Sequence, residues 1–415
     1  MNKPKSLIVI GAGISGVSAF ISAVQSEDFN HITIIDPMGV CKGSGFSTFS
    51  DKMLCNTPVN LNSVNASNFL DFYQYCIQMG HPYKKEDFVP RSLFLEYVVS
   101  RFEKYLGVFK NRGGSVDIIE DKAVAIDYVN KEVLTKESGH YSFGNCIICL
   151  GPTQPSGYSI ESGSLLNIKS ATIFGSKLSA IDLAIFLCSK GIKVEMVSPS
   201  GELPNVRSRL HESTINDLTI EEQIRKVSKE SKDKNYSKLS VSEKLNKDIS
   251  DSESNQWQDL IGFGLQEIIN NDSPYLKRLL TLAPQVVKRY ICSFPYKNAL
   301  LVQKYMNSGL LSISKGDKSS YKNNTVDWHQ FVDCSDYLLP SLIVRDNLIH
   351  IRYTDSREVG LEVGGLTKYD IYTSGSLNRE VDLVVNYIRY LTQDNHKKIN
   401  AMNIKREFAS ENMCS

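Results

Sequence analysis

The sequence predicts an α/β fold with two Rossmann-like dinucleotide-binding domains, each a three-layer unit on a mainly parallel sheet. Three observations predict it. Residues 7–36 read as strand, tight glycine turn, helix, strand and acid. Residues 171–197 repeat that layout. A further apolar strand ending in glycine lies far downstream, at residues 371–375.

The first run opens with Leu7-Ile8-Val9-Ile10, followed by glycine at Gly11, Gly13 and Gly16. Gly11 permits a sharp turn out of the strand. Gly13 lets a pyrophosphate approach the backbone, and Gly16 lets helix and strand pack closely. An apolar helix from Ile14 to about Val24 presents free N–H groups and a partial positive charge to phosphate oxygens. The second strand, Ile32-Thr33-Ile34-Ile35, ends on Asp36, at the spacing of a carboxylate that accepts ribose hydroxyls. Lys3 and Lys5 before an apolar run resemble a secretory signal. Against that, glycines in motif register interrupt the run, and no small-residue cleavage site follows.

Composition is that of an ordinary globular protein. The chain has 415 residues, 41% of them hydrophobic and 22% charged, enough for two or three domains. The net charge of +1 calls for neither nucleic acid nor an anionic membrane as partner, and no apolar run is long enough to span a bilayer. Nine scattered cysteines, several within apolar runs, predict reduced buried thiols in the cytoplasm. Cys146 and Cys149 sit three apart in a strand, so they face opposite sides and are expected in the core rather than as a redox pair. No metal site is expected.

After Asp36, Pro37 stops the strand and the glycine-rich stretch Gly39–Phe46 allows backbone to lie along a ligand. Leu93, Phe94, Tyr97, Val98 and Phe102 then recur at helical period. Arg91 falls in the first turn of that helix, an unfavourable end for a cation, which a phosphate or carboxylate partner would explain. Short strands are read at 116–119, 123–128, 132–135, 141–143 and 145–150, the last ending at Gly151.

The second motif is degenerate. Gly175 keeps the turn, but Lys177 stands at the pyrophosphate-approach position and Ala180 at the third glycine. The strand after its helix ends in Ser198-Pro199-Ser200, without an acid. Arg207 and Arg209 follow and are placed to meet a 2′-phosphate. Two readings stand: an unusual NADPH site, or a relic. Residues 213–255 are Lys-, Ser-, Asp-, Asn- and Glu-rich, read as a mobile surface insertion, a lid or plain disorder. Strands at 332–336, 348–352 and 361–363 follow. The strand ending at Gly375 precedes a helix from Arg379 to Leu391, with Asn378 as its N-cap.

As a set, these elements resemble the FAD–NAD(P)-binding oxidoreductases related to class B flavin monooxygenases, including amine N-hydroxylases. The matching stretches are the Gly11/Gly13/Gly16/Asp36 fingerprint, Gly43-Ser44-Gly45-Phe46, Leu54-Cys55-Asn56-Thr57-Pro58 and Phe88-Val89-Pro90-Arg91. Leu150-Gly151-Pro152, Gly175 to Asp182, Gly201-Glu202-Leu203-Pro204 and Tyr372-Thr373-Ser374-Gly375-Ser376 complete them. The resemblance implies a discontinuous FAD domain, residues 1–165 and 331–415, around a second NAD(P)-type domain at 166–330. It implies FAD reduced by NAD(P)H, then oxygenation of a small metabolite. The cofactor-binding positions it implies are Gly11, Gly13, Ser15, Gly16, Asp36, Gly43 and Gly45. Asn56, Arg91, Val124, Gly151, Gly375 and Asn378 join them, with Asn56 and Lys177 as candidates beside the ring or nicotinamide. Lys177 leaves as an alternative an FAD oxidase or dehydrogenase that does not use NAD(P)H; a further alternative, from another class, is a non-catalytic flavin-binding protein.

Overall fold

The computed structural model describes residues 6–42, 50–137, 139–153, 168–208, 220–230, 233–253, 289–290, 292–321, 329–334, 338–355, 363–378 and 388–411. Gly43, Gly45 and Arg209 lie outside them, as does the predicted start of the last helix at 379–387.

The first unit grows from β1 (Ser6–Ile10), α1 (Ile14–Ser26) and β2 (His31–Ile35), which the sequence predicts almost residue for residue. Two helices follow, α2 (Asp71–Gln78) and α3 (Arg91–Asn111). β3 (Ser115–Ile119), β7 (Asn145–Ile148) and β16 (Ile371–Thr373) complete a parallel sheet in the order β16-β7-β1-β2-β3. The end of the chain therefore does return to the first sheet, with Tyr372 opposite Ile147.

Strand alternation decides the two faces of this sheet. Leu7 and Val9 point into a core shared with α1 and α3. Ile8 and Ile10 point the other way, into a second core. The latter is closed by an antiparallel sheet in the order β14-β15-β4-β5-β6. Its strands are β4 (Ala123–Asp127), β5 (Glu132–Thr135), β6 (His140–Ser142), β14 (Leu338–Arg345) and β15 (Leu348–Asp355). Asp346 and Asn347 join β14 to β15 with φ of 52° and 63°, the left-handed pair that a tight hairpin requires. Cys146 and Cys149 fall into the two different cores, as their spacing predicts. Burial pushes the Cys149 thiol up to about 12, and none of the eight described cysteines is in a disulfide.

The second unit is a parallel sheet in the order β12-β9-β8-β13. It consists of β8 (Ser170–Phe174), β9 (Lys193–Ser198), β12 (Leu311–Lys315) and β13 (His329–Asp333). β8 leads through the second glycine turn into α4 (Leu178–Ser189). β13 carries this sheet past residue 330, beyond the boundary expected from sequence. Residues 363–369 form a 3-10 helix, and residues 361–362 of the strand expected at 361–363 lie outside the described residues.

The polar stretch at 213–255 departs most from expectation. Its described residues form α5 (Ile220–Glu230), α6 (Lys234–Ser237) and α7 (Val241–Asp251). A reciprocal capping box between Ser240 and Glu243 starts α7. Leu245 of α7 joins the core of the second sheet, in the same cluster as Ala299 and Val302. Those residues lie on α8 (Tyr296–Asn307), which follows the short parallel pair of β10 (Val206–Arg207) and β11 (Phe294–Pro295). The composition is polar because α5 and α7 bury only a few positions each, Ile224 and Val227 on one and Leu245 and Asp248 on the other, and α6 buries none. The last helix, α9 (Ile388–Glu411), packs along α1 and extends well beyond the predicted end at Leu391.

Candidate cofactor site

The first glycine turn separates what the protein needs from what a ligand needs. Gly11 has φ of 92°, and a Cβ there would lie 2.9 Å from the Cys149 carbonyl oxygen. A Cβ on Gly16 would lie 1.9 Å from the Gly11 carbonyl oxygen. Both glycines are therefore fixed by packing. Gly13 is different. Its backbone is extended at φ −72°, ψ −165°, open to any residue, and its Cβ would meet nothing within 4 Å. The protein itself gives no reason for glycine there. The vacant space lies at the N-cap of α1, beside the orphan amides of its first turn.

Asp36 ends β2 as predicted, and its carboxylate also ties the turn together. One oxygen accepts from the Ala12 amide at 2.8 Å, the other from the Met38 amide at 2.9 Å. A carboxylate has about four lone-pair sites, so both oxygens retain capacity for ribose hydroxyls. Val124 sits at a register shift between Ala123 and Ala125 in the β4–β5 ladder. A bulge of this kind leaves the backbone of its extra residue outside the ladder. Gly151, just past β7, is exposed and a Cβ there would meet nothing within 4 Å.

The far end of the chain meets the first turn directly. Ser15 Oγ is 2.9 Å from Ser374 Oγ, and Asn395 Nδ2 donates to the Ser15 carbonyl at 2.9 Å. Gly375 follows at φ of 65°, a conformation that favours glycine. Asn378 ends a 3-10 helix, Gly375–Asn378, so the predicted strand-to-helix switch passes through this short turn.

Two predicted ligand arginines are used by the protein instead. Arg91 Nη2 donates to Asp182 Oδ2 at 2.6 Å, and its Nε donates to the Leu54 carbonyl at 3.1 Å. The partner that explains a cation in the first turn of α3 is thus a carboxylate of α4, not a cofactor phosphate. Arg207 is 1% exposed. Its Nε donates to Ser293 Oγ at 3.0 Å and its Nη1 to the Asn56 carbonyl. It cannot reach a 2′-phosphate on the surface, which corrects the expectation. Asn56 itself is half-buried, and its neighbour Cys55 is sealed, with burial pushing the thiol up to about 12.

The second turn copies the first in backbone. Gly175 has φ of 115°, and Lys177 caps α4 at φ −98°, ψ −169°, close to the conformation of Gly13. The Lys177 side chain therefore starts where the first turn is vacant, and it is exposed. Its charge lies near enough to Cys292 to oppose the rise that burial imposes on that thiol.

Residues 8–153 match a family model described as FAD-NAD(P)-binding. This segment is similar to that family. The vacant Gly13 and the terminal acid Asp36 stand inside it. No curated protein matches the sequence. Solved structures match over nearly the whole chain. An ornithine N-hydroxylase of Kutzneria sp. 744, solved with reduced FAD, NADP+ and L-ornithine, aligns with TM-score 0.51 and 10% identity over 97% of this chain and 100% of its own. OTEMO, solved with FAD and NADP, aligns with TM-score 0.51 and 12% identity over 97% of this chain and 86% of its own. A flavin-containing monooxygenase of Stenotrophomonas maltophilia aligns with TM-score 0.50 and 10% identity over 97% and 99%. The first unit and the second sheet together have the fold of these proteins. Among the described residues, no helix is long and apolar enough to cross a membrane.

Proposed function

We propose that the chain is a cytoplasmic FAD-dependent monooxygenase that acts on a small metabolite, with NAD(P)H as its reductant. The observation that carries this reading is the vacancy at Gly13, in a turn whose other two glycines are explained by packing. A pyrophosphate fits that vacancy and accepts from the orphan amides at the start of α1. On this reading Asp36 takes the adenosine ribose, and the register shift at Val124 supports a role for its free backbone at the adenine edge. Gly151 and Gly375 let backbone approach from β7 and β16. When bound, FAD supplies the redox chemistry: it accepts two electrons and transfers them to oxygen. The protein's part is to bind, orient and exclude water, so few side chains need act as acid or base.

The test is the purified protein's colour and reduction. It should be yellow, bleach under anaerobic mixing with NADPH or NADH, and take up oxygen on a small amine or carbonyl substrate. A colourless protein that refuses added FAD sinks the reading.

A second reading is favoured by Lys177, whose side chain starts in the space that a nicotinamide dinucleotide's pyrophosphate would cross. On this reading the chain is an FAD oxidase or dehydrogenase that takes electrons from its substrate. Anaerobic bleaching by substrate alone, with no response to NAD(P)H, would select it.

A further inference from the structure

The two glycine turns correspond residue for residue through their hydrogen bonds. The Gly11 amide donates to the Ile35 carbonyl at 2.8 Å, and the Gly175 amide to the Val197 carbonyl at 2.7 Å. Asp36, which follows Ile35, therefore corresponds to Ser198, which follows Val197. Gly39 and Gly201, each three residues further on, are both buried. They donate back to the Asp36 and Ser198 carbonyls at 3.2 and 3.1 Å, with φ of 80° and 63°. The match extends to the neighbouring strand. Ile35 pairs with Ile119 of β3, and Val197 with Ser314 of β12. The next residue on that side is Glu120 in the first unit and Lys315 in the second. Each stands against its glycine: a Cβ on Gly39 would lie 2.9 Å from Glu120 Oε1, and one on Gly201 would lie 3.0 Å from Lys315 Cβ.

What differs between the two ends is charge. The first carries two carboxylates, Asp36 and Glu120. The second carries a hydroxyl and an ammonium, Ser198 and Lys315. Ser198 is buried, and its Oγ accepts from the Gly201 amide at 3.1 Å and lies 2.9 Å from Ser176 Oγ. The turn that Asp36 ties with a carboxylate is thus tied here without one. The nearest acid along the chain, Glu202, is engaged by Lys244 at 2.8 Å. Lys318 is paired with Asp333, whereas Lys315 is exposed and makes no ion pair among the described residues.

In a strand–turn–helix–strand nucleotide unit, the end of the second strand meets the adenosine ribose. Free ribose hydroxyls donate, and a carboxylate accepts from them. A phosphate monoester carries about −1.5 to −2 charges at pH 7 and only accepts, so carboxylates repel it and an ammonium pairs with it. We propose that the second turn selects a dinucleotide that carries a 2′-phosphate, and that Lys315 is the specificity-determining residue. Lys315 has this role only if the second unit docks the reductant, as proposed above. Arg207, expected from sequence to meet that phosphate, is buried against the Asn56 carbonyl instead.

The experiment measures equilibrium binding to the full-length protein by calorimetry. NADP+ and NAD+ are one pair of probes, and 2′,5′-ADP and ADP are the second. The members of the second pair share a 5′-phosphate end, so any effect of Lys177 largely cancels in their ratio. The parent should bind the 2′-phosphorylated member of each pair about 10- to 100-fold more tightly, the worth of one charge-assisted hydrogen bond. Lys315→Ala should lose most of that preference. Lys315→Glu, which installs the charge that Glu120 holds in the first unit, should reverse it. Both should act by weakening NADP+ and 2′,5′-ADP, with FAD content unchanged. Lys315 is exposed, so both variants should fold. Lys318→Ala is the control and should keep the parent's ratios. Equal binding of each pair by the parent, Lys315 variants that keep its ratios, or an equal loss in Lys318→Ala overturns the role of Lys315 and leaves the flavoenzyme reading standing. A yellow parent that binds none of the probes overturns it together with NAD(P)H as reductant. A colourless parent fails the flavin reading by its own test, and the binding ratios still decide Lys315.

Discussion

A Cβ added at Gly16 would stand 1.9 Å from the carbonyl oxygen of Gly11, whereas one added at Gly13, three residues earlier, would touch nothing. The two glycines therefore fail in opposite ways. Gly16→Ala forces α1 off its strand and should destabilise the fold by about 3 kcal/mol or more, since the clash is with backbone that cannot rotate away. Gly13→Asp should do the reverse. Aspartate is a better N-cap than glycine, so the apoprotein should hold or gain a few tenths of a kcal/mol. Yet the added carboxylate occupies the pyrophosphate's space with like charge, so FAD retention should be lost. Thermal melting with and without FAD, set beside the absorbance of the purified variants, checks both halves.

Much of this was legible because it is local. The turn at Gly11–Gly16, both flanking strands and Asp36 lie within one short run, where periodicity and turn chemistry act on neighbours. The fates of Arg91 and Arg207 were not legible. Their partners, Asp182 and Asn56, are 91 and 151 residues away in sequence, and nothing about a lone arginine reveals whether it meets a phosphate or a carbonyl. The helices at 220–251 were hidden by composition. Ser240 and Glu243 carried a capping-box signal all the same, and Val241, Leu245 and Ile249 mark a stripe one residue wide.

Asp182 also predicts how stability depends on pH. Burial raises its carboxyl from the usual 3.8 to about 6, against the opposing pull of Arg91. Between those values the folded chain holds a proton that the unfolded chain has released. Its contribution is thus full below the unfolded value and is lost as pH rises through about 6, a loss of up to roughly 3 kcal/mol. Asp248, buried beside Arg289 and likewise pushed up to about 6, acts in the same direction. Melting temperatures measured at intervals from pH 4 to pH 7 should fall more steeply in the parent than in Asp182→Asn. Equal slopes would mean that Asp182 titrates normally.

Lys177 decides between the two functional readings. Its backbone matches that of Gly13, so its side chain begins where a pyrophosphate would pass. Lys177→Gly restores the vacancy and should speed anaerobic flavin reduction by NADPH, with FAD content unchanged. A slower reduction in that variant would mean that the ammonium holds a phosphate and that the site is used as it stands.

The helices of the polar insertion carry the last prediction. Leu245 is 3% exposed and sits among Ala299, Val302 and Phe294 in the core of the second sheet. If the segment is a folded part of that unit, Leu245→Ala removes a buried side chain and leaves a cavity, costing about 2–4 kcal/mol. A solvated, disordered insertion would lose almost nothing. Ser240→Ala, which removes the capping-box acceptor for the Glu243 amide, should cost about 1 kcal/mol on the same scale. Denaturant unfolding of the two variants beside the parent separates these cases. Two midpoints equal to the parent's would return residues 220–251 to the mobile surface segment that their composition suggests.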